Sequence, residues 1–223
     1  ALTNLAEALA SSPCPGLRLF QMGPCLAGAY PRARPQYNVR MDPWAFARVM
    51  TAAHLPHLVM SHTTWALYPS GRTRLGLYPD DPLGQALRGS PDPAHRLLWD
   101  HLTDFVASGK PCTILHDPLT VLACLEPGLV DFAEAGLWMD EEGTCGLTPV
   151  GCAELLRLPA HRTAPVASAL QAPGPVRGIP FRARISLGAD YERARQRVVE
   201  ALFGPAADDL AARWRDHNAH SPA

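Results

Sequence analysis

Apolar residues recur at helical spacing in Leu2, Leu5, Ala6 and Leu9, and Ser11-Ser12-Pro13 breaks the run, which predicts a short opening helix. A compact apolar stretch from Leu17 to Met22, ended by Gly23, reads as a strand. After a Pro/Arg-rich stretch, Asp42-Pro43 opens a helix that carries Trp44, Ala47 and Val49 to about Ala53. An Asp side chain accepts from the free N–H groups of a helix start, and proline fits the first helical position, where no N–H is needed. His57 to Met60 is the next strand, followed by a long Gly- and Pro-containing loop around residues 69–83. Residues 93–108 form the clearest amphipathic helix, with Leu97, Leu98, His101, Leu102 and Phe105 on one face and Gly109 as its stop. Asp117-Pro118 repeats the cap-and-start signal before Leu119 to Leu125. Val130 to Met139 and Ile179 to Leu187 alternate as strands do, Ala189 to Phe203 is a further helix, and residues 157–178 read as a surface connection. Helices interleaved with short apolar strands predict an α/β layered fold without internal repeats.

Composition narrows the function classes. The 223 residues suit one large domain or two small ones, and a 47% hydrophobic share is enough to bury a substantial core. A formal net charge of −1 supplies no basic field, which argues against nucleic-acid polymers and anionic membranes as partners. The longest apolar runs, such as residues 119–125, fall far short of the roughly 20 residues of a membrane-spanning helix. A soluble chain is therefore expected. The six cysteines form no C-x-x-C pair and no Cys/His ligand spacing, so zinc is not indicated. Single cysteines of this kind behave as small buried hydrophobes in a reducing compartment, which makes the cytoplasm the expected location. Lys110 is the only lysine, which reads as compositional bias and nothing more. No positively charged leader precedes the first helix, and the chain opens in mid-architecture, as a fragment, a processed chain or the product of a split gene would.

Several short signatures follow one another in a fixed order. They are Leu2-Thr3-Asn4 at a helix start, Met22-Gly23 at a strand end, Gln36-Tyr37-Asn38 followed by Asp42-Pro43, and His116-Asp117-Pro118. Together they resemble the inosine–uridine nucleoside hydrolases, whose text reads approximately L-T-N, M-G-G, E-F-N-x-x-x-D-P and H-D-P. Ile179 to Phe203 also looks like that family's last strand and helix, so the resemblance extends over nearly all of the chain. It implies one nucleoside-hydrolase-like domain over residues 1–223: an α/β layered fold with a mixed, mainly parallel sheet flanked by helices, missing its N-terminal strands.

The resemblance implies a Ca²⁺ ion at the carboxyl ends of the strands, a ribose beside it, and a metal-bound water that attacks the anomeric carbon. Breaking a C–N glycosidic bond passes through an oxocarbenium-like sugar, which calls for anionic or polar oxygens and a nucleophile on the opposite face. Calcium takes about 6–8 oxygen ligands and can hold both ribose hydroxyls and water. On this resemblance Asp117 is a metal ligand, His116 is the acid beside the departing base, and Thr3 lends the metal its backbone carbonyl. Asn38 would hold a ribose hydroxyl and Met22 would line the sugar pocket. Each has a plain structural alternative: Asp117 as a helix cap, His116 as a surface residue, Thr3 as a helix-start residue and Met22 as core.

The departures from the pattern bear on activity. Gln36 stands where the family has Glu, and Tyr30 falls at or near the position of a family Asn. Loss of that negative charge weakens stabilisation of a cationic transition state and removes repulsion against an anion. The family Glu faces the 5′ end of the sugar, and Arg32, Arg34 and Arg40 surround Gln36, so a substrate with a 5′-phosphate or another altered 5′ group is one expectation. Ser61-His62-Thr63-Thr64-Trp65 replaces the family's D-x-T-H-Q, with Thr63 as the candidate retained residue. The N-terminal D-x-D-x-x-x-D-D motif is missing, and one carboxylate can neither hold calcium tightly nor supply the general base. An N-terminal companion chain or fragment carrying that motif is therefore expected, which would also cover the unpaired edge of the sheet. The competing readings are a non-catalytic subunit that binds a ribosyl ligand and a family member with an altered reaction.

Overall fold

A computed structural model describes residues 2–12, 14, 16–29, 36–171, 175–204 and 207–222. In chain order its elements are α1 (Leu2–Ser11), β1 (Phe20–Met22), α2 (Tyr37–Met41), α3 (Pro43–Ala52), β2 (His57–Val59), α4 (Ser61–Thr64), β3 (Gly76–Leu77), α5 (Pro82–Gly89), α6 (Pro93–Ala107) and β4 (Thr113–Ile114). There follow α7 (His116–Leu125), β5 (Val130–Met139), β6 (Cys145–Leu147), α8 (Pro149–Leu155), α9 (Ala160–Thr163), α10 (Ala167–Gln171), β7 (Ile179–Ala189), α11 (Tyr191–Phe203) and α12 (Asp208–His220). The chain divides into two compact units, one built from residues 1–63 and 123–189 and the other from 64–122 and 190–223.

The first unit is organised by a five-stranded sheet of order β1-β2-β7-β5-β6. Pairing is parallel from β1 to β2 and from β2 to β7, and antiparallel from β7 to β5 and from β5 to β6. Only β5 therefore runs against the other four strands. Side chains alternate across a strand. Ala133, Ala135, Leu137 and Met139 of β5 and Phe181, Ala183, Ile185 and Leu187 of β7 accordingly enter one core with Phe46, Val49 and Met50 of α3 and Ala6 and Leu9 of α1. On the opposite face Phe20, His57, Arg184 and Glu134 lie in register across four strands. There the His57 ring stacks on Phe20 at 4.4 Å and meets the edge of Phe132 at 5.1 Å.

A close backbone approach fixes α8 against the edge of β5. Thr148 caps the helix by accepting from the N–H of Gly151 at 3.0 Å, its own N–H donates to the Gly136 carbonyl at 3.0 Å, and the Glu154 carboxylate accepts from the Gly136 N–H at 3.2 Å. A Cβ on Gly151 would run into the Gly136 carbonyl oxygen.

The second unit packs helices around the two-stranded sheet β3-β4. Its core joins Leu77, Leu83, Leu87 and Leu102 to Val199, Leu210 and Trp214. The Trp214 indole donates to the Gly76 carbonyl at 3.1 Å, and the Asn218 amide donates to the same oxygen at 3.2 Å. Arg72 is buried, stacks over Tyr78 at 4.3 Å, donates to Asp80 through both terminal nitrogens, and reaches the Asn218 side-chain oxygen at 3.1 Å. These bonds hold α12 against the segment that precedes α5.

Several elements depart from the sequence expectation. The strand expected over Leu17 to Met22 is confined to Phe20–Met22, and residues 157–178, expected as a connection, contain α9 and α10. The loop around 69–83 contains β3, and α12 carries a buried Trp214 with no cap hydrogen bond from a side chain. Among the described residues no helix is long and apolar enough to cross a membrane.

Helix propensity alone favours alanine over glycine by about 1 kcal/mol in a helix interior. Because of the Gly136 contact, Gly151→Ala is expected to destabilise the protein by about 1–3 kcal/mol, the usual cost of overpacking. Urea denaturation monitored by circular dichroism reads this, and a stabilised variant would contradict the packing described.

Candidate functional site

Asp-Pro pairs have two fates in this chain. Asp42, Asp81 and Asp92 each precede a proline and each caps a helix, with side chains accepting from Ala45 N–H at 2.9 Å, Gly84 N–H at 2.7 Å and Ala94 N–H at 2.8 Å. Asp117 does not. Helix α7 already begins at His116, which puts Asp117 inside the first turn. The Asp117 side chain is exposed and makes no hydrogen bond or ion pair among the described residues. The capping alternative is thus not what the structure contains; a free carboxylate stands at the electropositive end of a helix.

Beside it, in the same unit, the His116 imidazole is half-buried. Its Nδ1 lies 2.7 Å from the hydroxyl of Thr64, and its Nε2 has no hydrogen-bond partner among the described residues. Trp65, 39% exposed, places its indole 6.1 Å from the imidazole centroid at a tilt of 37°. Burial holds the His116 pKa below its ordinary value, with the Asp117 charge opposing that shift. The ring is therefore neutral in the resting state near pH 7. A neutral imidazole with one nitrogen held and the other unengaged can take up and deliver a proton at the unengaged atom.

The other expected site residues belong to the first unit. Met22 ends β1 and is buried, beside a Gly23 whose missing Cβ leaves room for the Met60 sulfur and Leu58. Gln36 caps α2, its side-chain oxygen accepting from Val39 N–H at 3.2 Å. Asn38 lies on α2 and is exposed, and the guanidinium of Arg40 sits 5.8 Å over the ring of Tyr37. Thr3 belongs to the first turn of α1. Tyr30, Arg32 and Arg34 lie outside the described residues.

After β2 stands a buried polar cluster, at the run where the resemblance leads one to expect D-x-T-H-Q. His62 donates from Nε2 to the Ser186 carbonyl at 2.8 Å, Thr63 Oγ1 shares a 2.7 Å bond with the Ser186 hydroxyl, and that hydroxyl accepts from Met60 N–H at 2.8 Å. Burial lowers the His62 pKa from its ordinary 6.5 to about 4. Sequence reasoning singled out Thr63 in this run; the structure bonds Thr63 to Ser186 and joins Thr64 to His116. Nothing in the spacing announces a pairing between residues 52 positions apart.

Among the described residues no three His, Cys, Asp or Glu side chains lie close enough to hold a metal ion. Asp117 and a Thr3 carbonyl would amount to two oxygens, against the 6–8 or so that calcium takes. This chain's described side chains do not form a calcium site by themselves.

No family model matches the sequence, and no curated protein matches it. Solved structures do match. A plant nucleoside hydrolase, PpNRh1, superposes with a TM-score of 0.58 at 19% identity, covering 92% of this chain and 60% of its own. The inosine-uridine preferring nucleoside hydrolase of Bacillus anthracis superposes with a TM-score of 0.56 at 17% identity, covering 96% of this chain and 57% of its own. The chain thus has the nucleoside-hydrolase fold and spans about three fifths of the length of the solved chains it matches.

Two outcomes follow from this geometry. Asp42→Ala, which removes a cap, is expected to cost about 1 kcal/mol. Asp117→Ala should change stability by less than about 0.5 kcal/mol, as substitutions of unengaged surface groups do; equal losses in urea titrations would mean that Asp117 caps α7 after all. For His62, a folded-state pKa below the unfolded value means that the unfolded chain binds the proton more readily, so stability rises with pH across that interval. Its contribution is complete above pH 6.5 and is lost as the pH falls from 6.5 to about 4. His62→Gln, which keeps a donor for the Ser186 carbonyl, should flatten that part of the stability–pH curve.

Proposed function

We propose that this chain is part of a hydrolase of N-glycosidic bonds in a nucleoside or a 5′-modified nucleoside or nucleotide, completed by an N-terminal companion segment. The fold supports this reading, and the observation that carries it is the free Asp117 carboxylate adjoining an imidazole whose Nε2 is unengaged. In the proposed reaction the C–N bond breaks with its electron pair passing to the base nitrogen. His116, having first taken up a proton from solvent at Nε2, delivers it to that nitrogen, and a water oxygen forms the new bond to the anomeric carbon. The Asp117 carboxylate offers negative charge to the oxocarbenium-like sugar. The proton released by the attacking water goes to a carboxylate of the companion.

Asn38 is proposed to hold a ribose hydroxyl and Met22 to line the sugar. Calcium, the cofactor that the sequence resemblance implies, would take Asp117 and the Thr3 carbonyl as ligands and draw its other oxygens from the companion and the sugar; bound there, it would supply Lewis acidity at the ribose and the water. Gln36 is proposed to face the 5′ end, where a neutral amide in place of a carboxylate suits an anionic group, and Tyr30, Arg32 and Arg34 are proposed to take part in substrate binding. The cytoplasm is the proposed location.

A second reading has the chain as a non-catalytic subunit that binds a ribosyl ligand. It draws on Gln36, whose side-chain oxygen is already engaged in capping α2, and on the lack of a carboxylate cluster among the described residues.

The test is release of free base and reducing sugar from nucleosides and their 5′-monophosphates by the chain alone and by its complex with the co-purified polypeptide, identified by mass spectrometry. Turnover by the complex, faster on the monophosphate, is expected. His116→Ala in the complex should lower kcat by about 10²- to 10⁴-fold, the usual weight of general acid catalysis. Ligand binding without sugar release, with the companion present, would favour the second reading, and equal rates on the two substrates would remove the 5′-phosphate.

A further inference from the structure

The Thr64 hydroxyl and the His116 Nδ1 are 2.7 Å apart across 52 residues of sequence, and Thr64 is fully buried. A long-range bond of this length holds one edge of the imidazole in place. Trp65, next in the chain, stands against the same ring at 6.1 Å. The imidazole is thus held along one edge by a hydroxyl and flanked by an indole, while Nε2 is without a hydrogen-bond partner among the described residues.

Which atom donates follows from the reaction proposed above. An imidazolium carries hydrogen on both nitrogens, so in that state Nδ1–H can only donate, and Thr64 Oγ1 must accept. Once Nε2–H has passed its proton to the departing base, the neutral ring that remains still carries hydrogen on Nδ1, and the same bond persists. Were Thr64 instead the donor to Nδ1, the hydroxyl would have to reverse each time the ring gained or lost a proton. An arrangement that serves both protonation states without reorganisation is the one that favours transfer.

We propose that Thr64 is the positioning residue of His116: its hydroxyl oxygen accepts from Nδ1–H, holds the neutral ring in the Nδ1–H tautomer and leaves the Nε2 lone pair to take up and deliver the proton. The inference rests on the hydrolase reading for its purpose, while the tautomer itself is a property of the chain without ligand. An unconstrained histidine side chain favours the Nε2–H tautomer, so the held state has a distinct signature. The tautomer is set by the bond that the other nitrogen makes.

The experiment is a long-range ¹H–¹⁵N correlation spectrum of the ¹⁵N-histidine-labelled chain at neutral to alkaline pH, with His116 assigned by its loss in His116→Gln. The wild-type chain should show a pyrrole-type Nδ1 and a pyridine-type Nε2. Thr64→Val, which keeps the shape and removes the hydroxyl, should exchange those positions, and Thr64→Ser should restore them. A wild-type ring with hydrogen on Nε2 overturns the proposal without any variant, as does a Thr64→Val spectrum that matches the wild type in a chain of unchanged fold. Because no substrate is present, a chain that releases no base can still show the tautomer. In the complex, Thr64→Val with undiminished kcat would overturn the positioning role while leaving N-glycoside hydrolysis standing.

Discussion

Ten residues of β5 lie against β7 in one antiparallel ladder, and the first unit depends on that register. Because side chains alternate, the ladder decides at once which residues of both strands enter the core beneath α1 and α3 and which stand on the other face. A single irregularity between Asp131 and Phe132 shifts the pairing near the start of β5. Ser186 is paired with Phe132 there and turns inward, where it receives the bonds of Met60, His62 and Thr63. The geometry of the segment after β2 is thus an outcome of the ladder, although it lies over 120 residues away in sequence.

How much of this was legible depended on whether a signal was local. β5 and β7 are long enough for apolar alternation to show, and their expected bounds agree with the structure to within two residues. β3, β4 and β6 have two or three residues each, too few for any period to emerge. Cap chemistry was reliable at Asp42, and misleading at Asp117, where the same dipeptide lies one turn position inside its helix. A cap is defined by where the helix begins, and that depends on Leu115 being drawn to the Leu75 carbonyl in the β3–β4 region, a contact with no sequence mark.

The candidate site divides along similar lines. His116-Asp117 was visible as a dipeptide because adjacency in sequence needs no folding to be read. The partner of His116 was not, since a threonine hydroxyl is a common group and the fold alone brings it near. Gln36 shows the opposite case: as a neutral residue where the resemblance leads one to expect Glu it stood out in the sequence, but only the structure reveals that its side-chain oxygen serves the start of α2. A residue so employed has one polar atom fewer to offer a ligand.

The second core also constrains how the chain reaches its final state. Leu77, Leu83, Leu87 and Leu102 must find Val199, Leu210 and Trp214, which are translated after the whole of β5, β6 and β7. A nascent chain thus carries an unsatisfied apolar surface until α12 clears the ribosome, a period in which hydrophobic segments are prone to aggregate. Protection by a chaperone would matter most during that interval, and a protein lacking α12 would remain permanently in it.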